Sequence, residues 1–154
     1  MQVLHVVLYQ PEIPPNTGNI ARLCVATQSR LHLIEPLGFS IDDKQLKRAG
    51  LDYWPKLDLR VYPSFEAFLK GNPELTRIFY LSSKVPRSYF EARFLDNDVL
   101  VFGPETRGLP KELLDQNPGT SFTIPMPGEI RSINLSSAVS AVVYEALRQV
   151  WHRV

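Results

Sequence analysis

Three short segments hold most of the residues able to grip and orient a ligand. The first is Pro11-Glu12-Ile13-Pro14-Pro15-Asn16-Thr17-Gly18-Asn19-Ile20-Ala21-Arg22. The second is Phe102-Gly103-Pro104-Glu105-Thr106-Arg107-Gly108-Leu109-Pro110. The third is Ile124-Pro125-Met126, followed by Arg131-Ser132-Ile133-Asn134-Leu135-Ser136. Each leads from an apolar run through a polar Pro/Gly loop into a helical pattern. Loop backbone groups and helix N-termini at such junctions are free to bind a ligand. Three such junctions in one chain point to a single assembled site.

The residue types narrow the chemistry. Asn19 and Arg22 share a helical stripe with Ala26. An Arg–Asn pair there can hold a phosphate or a ribose, and an ordinary solvated face explains it equally well. Asn16 or Thr17 suits the N-cap of that helix, and Asn134 suits the N-cap of the last one. Gly103 and Gly108 permit close backbone approach or positive φ. Glu105 and Arg107 stand between them, and a plain turn needs neither. The spacing is neither a Walker loop nor the dinucleotide G-x-G-x-x-G. Ile124 and Met126 offer an apolar wall, while Arg131, Ser132 and Asn134 offer donors. No Ser-His-Asp or Cys-His arrangement is evident, and no carboxylate pair for hydrolysis. The pattern favours a reaction in which positioning matters more than covalent catalysis.

Composition sets the frame. The chain has 154 residues, 44% hydrophobic and 21% charged, ordinary values for one globular domain spanning 1–154. The net charge of +1 neither favours nor excludes a nucleic-acid partner, so any RNA site must come from local clustering. Arg supplies 11 of the 17 basic residues and suits bidentate phosphate contacts. Cys24 is the only cysteine, which excludes an intramolecular disulfide and a Cys-based zinc site. His5, His32 and His152 lack ligand spacing and read as structural or surface residues, so no metal is expected. No signal peptide or membrane-length run is seen, and the cytoplasm is the expected location.

The elements that position these segments alternate. Strands are predicted over Val3–Tyr9, Leu31–Ile34, Leu59–Tyr62, Arg77–Leu81, Val99–Phe102 and Ser121–Ile124. Helices are predicted over Thr17–Ser29, Asp43–Ala49, Ser64–Leu69, Pro110–Gln116 and Leu135–His152, with Gly50 stopping the second. Several strands are nearly continuous apolar runs, as in sheets covered on both faces. This predicts an α/β domain with a mostly parallel sheet flanked by helices. Many of the 13 prolines follow strands, where open α/β sheets bind ligands. In the last helix Leu135, Val139, Val142, Val143, Ala146, Leu147 and Val150 make one apolar face. Ser136, Ser137 and Ser140 form a small polar face that suits a ligand loop, a second subunit or solvent.

Together the segments N-T-G-N-I-x-R, F-G-P-E-T-R-G-L-P and I-P-M-x-x-x-x-R-S-x-N-L-S resemble the three motifs of the SPOUT superfamily, in particular its TrmH-like ribose 2′-O-methyltransferases. Arg48-Ala49-Gly50-Leu51-Asp52-Tyr53 and Val143-Tyr144-Glu145-Ala146-Leu147-Arg148-Gln149 resemble stretches of the bacterial subgroup that acts on the wobble nucleotide of tRNA. The chain begins almost at its first strand, without the N-terminal RNA-binding domain common in ribosomal-RNA relatives. Ile133 stands where relatives often have Leu or Met.

The resemblance implies a SPOUT (α/β-knot) fold with a C-terminal deep trefoil knot. It implies S-adenosyl-L-methionine as methyl donor, S-adenosyl-L-homocysteine as product and no metal. The cofactor is expected in loops starting near Leu81, Gly103 and Ile124, with Met126 and Gly108 beside it and Ser132 and Leu135 closing over it. Arg22 aligns with the family's proposed base. An arginine is effectively always protonated, so we read it as a clamp on the 2′-oxygen or an adjacent phosphate. Asn19 and Glu105 are expected to organise the site around Arg22, and Asn134 to position loops or the ribose. Tyr144 is expected to stack on a base or bond near the site, with a core tyrosine as the alternative. Arg107, Arg131 and Arg148 are candidate RNA contacts, with Lys44, Lys47 and Arg48 as an outer patch. The expected partners are a tRNA anticodon stem-loop and a second copy of the chain, with each site completed across the homodimer and no membrane. A non-catalytic RNA-binding protein on the same fold, or a 2′-O-methyltransferase of another tRNA or rRNA position, also fits the motifs. A flavodoxin-like binder fits only the α/β pattern.

Overall fold

The computed structural model describes residues 4–50 and 53–151. Its strands are β1 (His5–Tyr9), β2 (Arg30–Ile34), β3 (Leu59–Tyr62), β4 (Ile78–Leu81), β5 (Val99–Phe102) and β6 (Ser121–Phe122). Its α-helices are α1 (Pro14–Ala26), α2 (Lys44–Gly50), α3 (Phe65–Gly71), α4 (Lys111–Asp115) and α5 (Leu135–Val150). The strands form one sheet in the order β3-β2-β1-β5-β4-β6, and every pairing between them is parallel.

Alternation along the strands sends side chains to two cores. Val6, Leu8, Leu31, Leu33, Leu100 and Phe102 pack with Ile20 and Cys24 of α1 and Val139, Val142, Val143 and Ala146 of α5. Val7, Ile34, Val99 and Val101 pack with Phe68 of α3 and Leu114 of α4. Burial on both faces explains the apolar runs in β1 and β5. Chain order reverses between β1 and β5. The chain leaves β1 for β2 and β3 on one side, then returns through β4 and β5 on the other. Such a switch point opens a crevice outside the carboxyl ends of the strands. The first and second segments are the loops that leave β1 and β5 there.

The predicted element boundaries need several corrections. α1 begins at Pro14, three residues before Thr17, and its N-cap is Ile13 with no side-chain cap. Pro14 and Pro15 fill the first helical positions, where a missing N–H costs nothing. Asn16 and Thr17 therefore lie inside the helix and are buried. α1 ends at Ala26 and not at Ser29, because Gln28 adopts φ 54°. Ser29 N–H then bonds Cys24 C=O at 2.8 Å, and Gln28 N–H bonds Val25 C=O at 3.4 Å, a Schellman closure built without glycine. Pro110 precedes α4 as its N-cap. β6 stops at Phe122, and Thr123 makes only an isolated bridge with Ser88. Val3, Leu51, Asp52 and His152 lie outside the described residues.

His5 and His32 are buried in the sheet, as structural histidines should be. His5 Nδ1 lies 3.0 Å from His32 Nε2, and His32 Nδ1 lies 3.0 Å from the Tyr62 hydroxyl. Asn72 Nδ2 donates to that hydroxyl at 3.2 Å. One direction uses each donor once: Asn72 to Tyr62, Tyr62 to His32, His32 to His5. Both rings are then neutral. Burial pushes His5 down to about 4 and His32 down to about 3, with nearby Arg30 adding to both and the His5 ring adding at His32.

Candidate active site

The three segments meet through one chain of side-chain hydrogen bonds. The Glu105 carboxylate accepts from Glu12 N–H at 2.8 Å, Ile13 N–H at 3.0 Å and Asn16 Nδ2 at 3.1 Å. Glu105 thus takes up the two backbone donors just before α1, and with Pro14 and Pro15 bringing no N–H the helix needs no cap of its own. In return the Glu12 carboxylate accepts from Thr106 N–H at 2.9 Å and from the Thr106 hydroxyl at 2.8 Å. These bonds hold the Glu12 carboxyl below its usual range. An ionised carboxylate only accepts, so the Asn16 amide must turn its nitrogen to Glu105 and its oxygen outward. That oxygen accepts from Asn134 Nδ2 at 2.9 Å. Asn134 Oδ1 in turn accepts from Ser136 N–H at 2.9 Å and caps α5. Asn16 is the member bonded to both other segments.

Beside this network lies a cavity of about 570 Å³. It sits across the carboxyl ends of β5, β4 and β6, lined by the loops that leave all three. Leu81, Ile124, Met126 and Leu135 form an apolar wall, and Arg131, Ser132 and Asn134 form a polar mouth. Volume and lining match an organic ligand with a flat apolar part and a charged, hydrogen-bonding part. Two glycines shape the wall. A Cβ on Gly103 would fall on the backbone of Gly108 and Leu109, so the β5 loop must curl against its own start. Gly108 adopts φ +68° and lets the turn close, with its N–H bonded to Pro104 C=O at 2.9 Å. Lys84, from the loop after β4, pins the same turn by donating its Nζ to Leu109 C=O at 2.7 Å.

Leu81, Gly103, Ile124, Met126, Ser132, Leu135 and Gly108 all line the cavity, as do Glu105, Asn134, Arg107 and Arg131. Arg107 also reaches Gln10 Oε1 at 3.1 Å. Gln10 holds φ 50° at the end of β1.

Four predicted site residues stand outside the lining: Asn19, Arg22, Tyr144 and Arg148. Ile13 and Asn16 of the first segment face the cavity. Arg22 follows Asn16 by about 9 Å along the helix axis, and both Asn19 and Arg22 are exposed. The side chain joining Glu105 to the rest of the site is therefore Asn16 and not Asn19. Tyr144 is 52% exposed, which removes the core-tyrosine alternative. Arg148 is paired with Glu145 at 2.8 and 2.9 Å, beside a separate hollow of about 410 Å³. In the outer patch Lys44 and Arg48 are exposed, and the Lys47 side chain lies outside the described residues.

Sequence reasoning missed Glu12, Lys84 and the central place of Asn16. Glu12 and Asn16 were visible as polar residues flanking a Pro-Pro pair, but their partners lie 89 or more positions away. Nothing near Lys84 in the sequence marks it. Among the described residues no His/Cys/Asp/Glu cluster could hold a metal ion.

Comparison with known proteins agrees with this architecture. The tRNA (cytidine(34)-2′-O)-methyltransferase of Escherichia coli (strain K12) is 52% identical over 150 residues, covering 96% of this chain and 94% of its own. The putative tRNA (cytidine(34)-2′-O)-methyltransferase of Bacillus subtilis (strain 168) is 51% identical over 157 residues, covering 97% and 95%. A solved structure described as giving insights into the 2-OH methylation of C/U34 on tRNA superposes with a TM-score of 0.90 at 54% identity, covering 95% of each chain. The model of the SpoU rRNA methylase family matches residues 3–144, which takes in all three segments, and the chain belongs to that family.

Proposed function

We propose that this protein transfers a methyl group from S-adenosyl-L-methionine to the ribose 2′-hydroxyl of the wobble nucleotide of tRNA, a cytidine or uridine. The observation that carries the reading is the joining of the three motif segments, through Glu105, Asn16 and Asn134, around one cavity. The family name refers to rRNA, but relatives about half identical over nearly their whole length are tRNA enzymes. That favours tRNA.

The cavity suits the cofactor. Leu81, Ile124, Met126 and Leu135 offer an apolar surface for an adenine and a thioether, and Ser132 and Asn134 offer polar contacts. When bound, S-adenosyl-L-methionine supplies an electrophilic methyl group on a sulfonium. The protein's residues do the rest by placement. Glu105, Asn16 and Asn134 fix the three loops relative to each other. Arg22 stays protonated throughout, so it clamps the 2′-oxygen or the adjacent phosphate and stabilises negative charge as the oxygen loses its proton. The proton passes to phosphate or water. Orientation of this kind can supply up to about 7–11 kcal/mol.

Arg22 is exposed and does not line the cavity of its own chain. This supports a homodimer in which Arg22 of one protomer serves the cavity of its partner. The anticodon loop suits such a site, because proteins read splayed single-stranded bases more easily than A-form grooves. Arg107 and Arg131, at the cavity, are the contacts closest to the reacting ribose, and Arg148 and Tyr144 lie further out. The C-terminal trefoil knot of the superfamily belongs to the same reading.

The test is methyl transfer from labelled S-adenosyl-L-methionine to total tRNA from a strain lacking the protein, with the modified nucleotide mapped by mass spectrometry. A 2′-O-methyl group on the wobble nucleotide is the expected result. Label at another position overturns the substrate. Intact cofactor binding with no label in tRNA or rRNA favours a non-catalytic RNA-binding protein.

A further inference from the structure

Of Arg22, Arg107, Arg131 and Arg148, only Arg22 lies over an aromatic ring among the described residues. Arg107 is bonded to Gln10, and Arg148 is paired with Glu145. The N–H groups of Arg22 meet no acceptor among the described residues. Its guanidinium carbon instead lies 4.8 Å from the centroid of the Tyr53 ring. That is inside the roughly 6 Å range of a cation–π contact.

We propose that Tyr53 is the positioning residue for Arg22: its ring carries one face of the guanidinium and leaves the N–H edges open for the substrate. A carboxylate partner would fix the side chain equally well. It would also occupy the fork that must grip a ribose oxygen or phosphate, and it would offset the charge that stabilises the reaction. An aromatic face restrains the cation without using its donors.

The local structure makes Tyr53 a firm platform. The residue opens a short 3-10 turn, Trp54–Lys56. Its carbonyl accepts from Lys56 N–H at 2.9 Å, and Trp54 C=O accepts from Leu57 N–H at 3.1 Å. Trp54 and Leu57 pack against the core shared by α1 and α5. The ring that meets Arg22 is therefore attached to backbone anchored on both sides of the turn. The inference rests on Arg22 acting in methyl transfer, so its test must separate the two claims.

Full-length Arg22→Ala, Tyr53→Phe, Tyr53→Leu and Tyr53→Ala are compared for kcat and KM with tRNA, for S-adenosyl-L-homocysteine affinity and for oligomeric state. Tyr53→Phe should keep kcat within about twofold, because the ring face remains. Tyr53→Leu and Tyr53→Ala should each lower kcat by about tenfold, with KM, cofactor affinity and oligomeric state unchanged. Non-denaturing guanidinium should partly restore Arg22→Ala, and should fail to restore the Arg22→Ala/Tyr53→Ala double variant.

If Arg22→Ala is fully active, the reading of Arg22 itself falls. If Arg22→Ala is inactive while Tyr53→Leu matches the wild type, only the Tyr53 proposal falls. Equal loss in Tyr53→Phe and Tyr53→Ala would assign the effect to the hydroxyl and overturn the ring argument. So would loss of cofactor affinity or oligomeric state in both Tyr53→Leu and Tyr53→Ala.

Discussion

Asn16 matters because its amide has two different ends. The nitrogen can only donate and the oxygen can only accept, so one side chain can face a carboxylate and an asparagine amide in a fixed order. Glu105 and Asn134 take those two positions. Arg22 differs in kind, being permanently charged, exposed and held by a ring face. Replacing Arg22 by alanine should lower methyl transfer by roughly a hundredfold or more while leaving cofactor affinity within a few-fold. Single-turnover methylation and S-adenosyl-L-homocysteine titration check this, and a matching loss of cofactor affinity would remove Arg22 from the transfer step. The residue types in the three segments were legible in the sequence, because three separate loop ends carry the same dense mix of Asn, Glu, Arg and Gly. Their pairing was not. Asn16 read as a helix cap by local rules, and only a partner 89 positions away frees it from that task.

The loops and helices show the same division. The spans Leu59–Tyr62 and Val99–Phe102 coincide with β3 and β5, where short runs rich in strand-forming residues are bounded by clear turns. The start of α1 was displaced, because Pro14 and Pro15 bring no N–H to its first turn and Glu105 takes the N–H groups of Glu12 and Ile13 just before it, so no local cap is needed. Gly103 illustrates a constraint that composition signals without explaining. Close backbone approach or positive φ was expected at this position, with no partner assigned. The structure puts the contact inside the loop itself, where a Cβ would strike Gly108 and Leu109 backbone. Gly103→Ala should therefore move the whole β5 loop, costing about 1–3 kcal/mol of stability and weakening cofactor binding at least roughly tenfold. Thermal melts with and without S-adenosyl-L-homocysteine read both effects. Unchanged cofactor affinity would show that the loop absorbs the methyl group without displacing the cavity wall.

At the scale of the molecule, parallel strands were foreseeable and their order was not. Alternating apolar strands and helices call for a parallel sheet, yet hydrophobic pattern does not say that β1 pairs with β5. That pairing creates the switch point and brings the first two segments together. The exposed Arg22 leads to a prediction about assembly. Copies carrying Arg22→Ala mixed with copies carrying Gly103→Ala, assayed at a cofactor concentration that loads only the unaltered cavity, should recover about a quarter of wild-type activity, since random pairing makes about half the dimers mixed, each with one complete site. No recovery after subunit exchange would place Arg22 in the service of its own chain.

The buried His5–His32 pair predicts acid sensitivity. Each ring would take a proton near 6.5 when unfolded, but resists it until about 4 for His5 and about 3 for His32 when folded. Stability held by these rings is whole above pH 6.5 and falls as pH drops toward 4, with about one to two protons taken up on unfolding. Urea unfolding between pH 7 and 4.5 should show that slope, and His32→Gln should flatten it. A slope indifferent to His32→Gln would assign the acid loss to other groups.

The proposed reaction ends on one oxygen atom, and a single substrate change tests it. Two tRNA transcripts would be compared with labelled S-adenosyl-L-methionine, one natural and one carrying a single 2′-deoxy nucleotide at the wobble position. Label is expected in the first and background in the second, with equal binding of both. Equal labelling of the deoxy transcript would contradict it, because the methyl group would then be going somewhere other than the wobble 2′-oxygen.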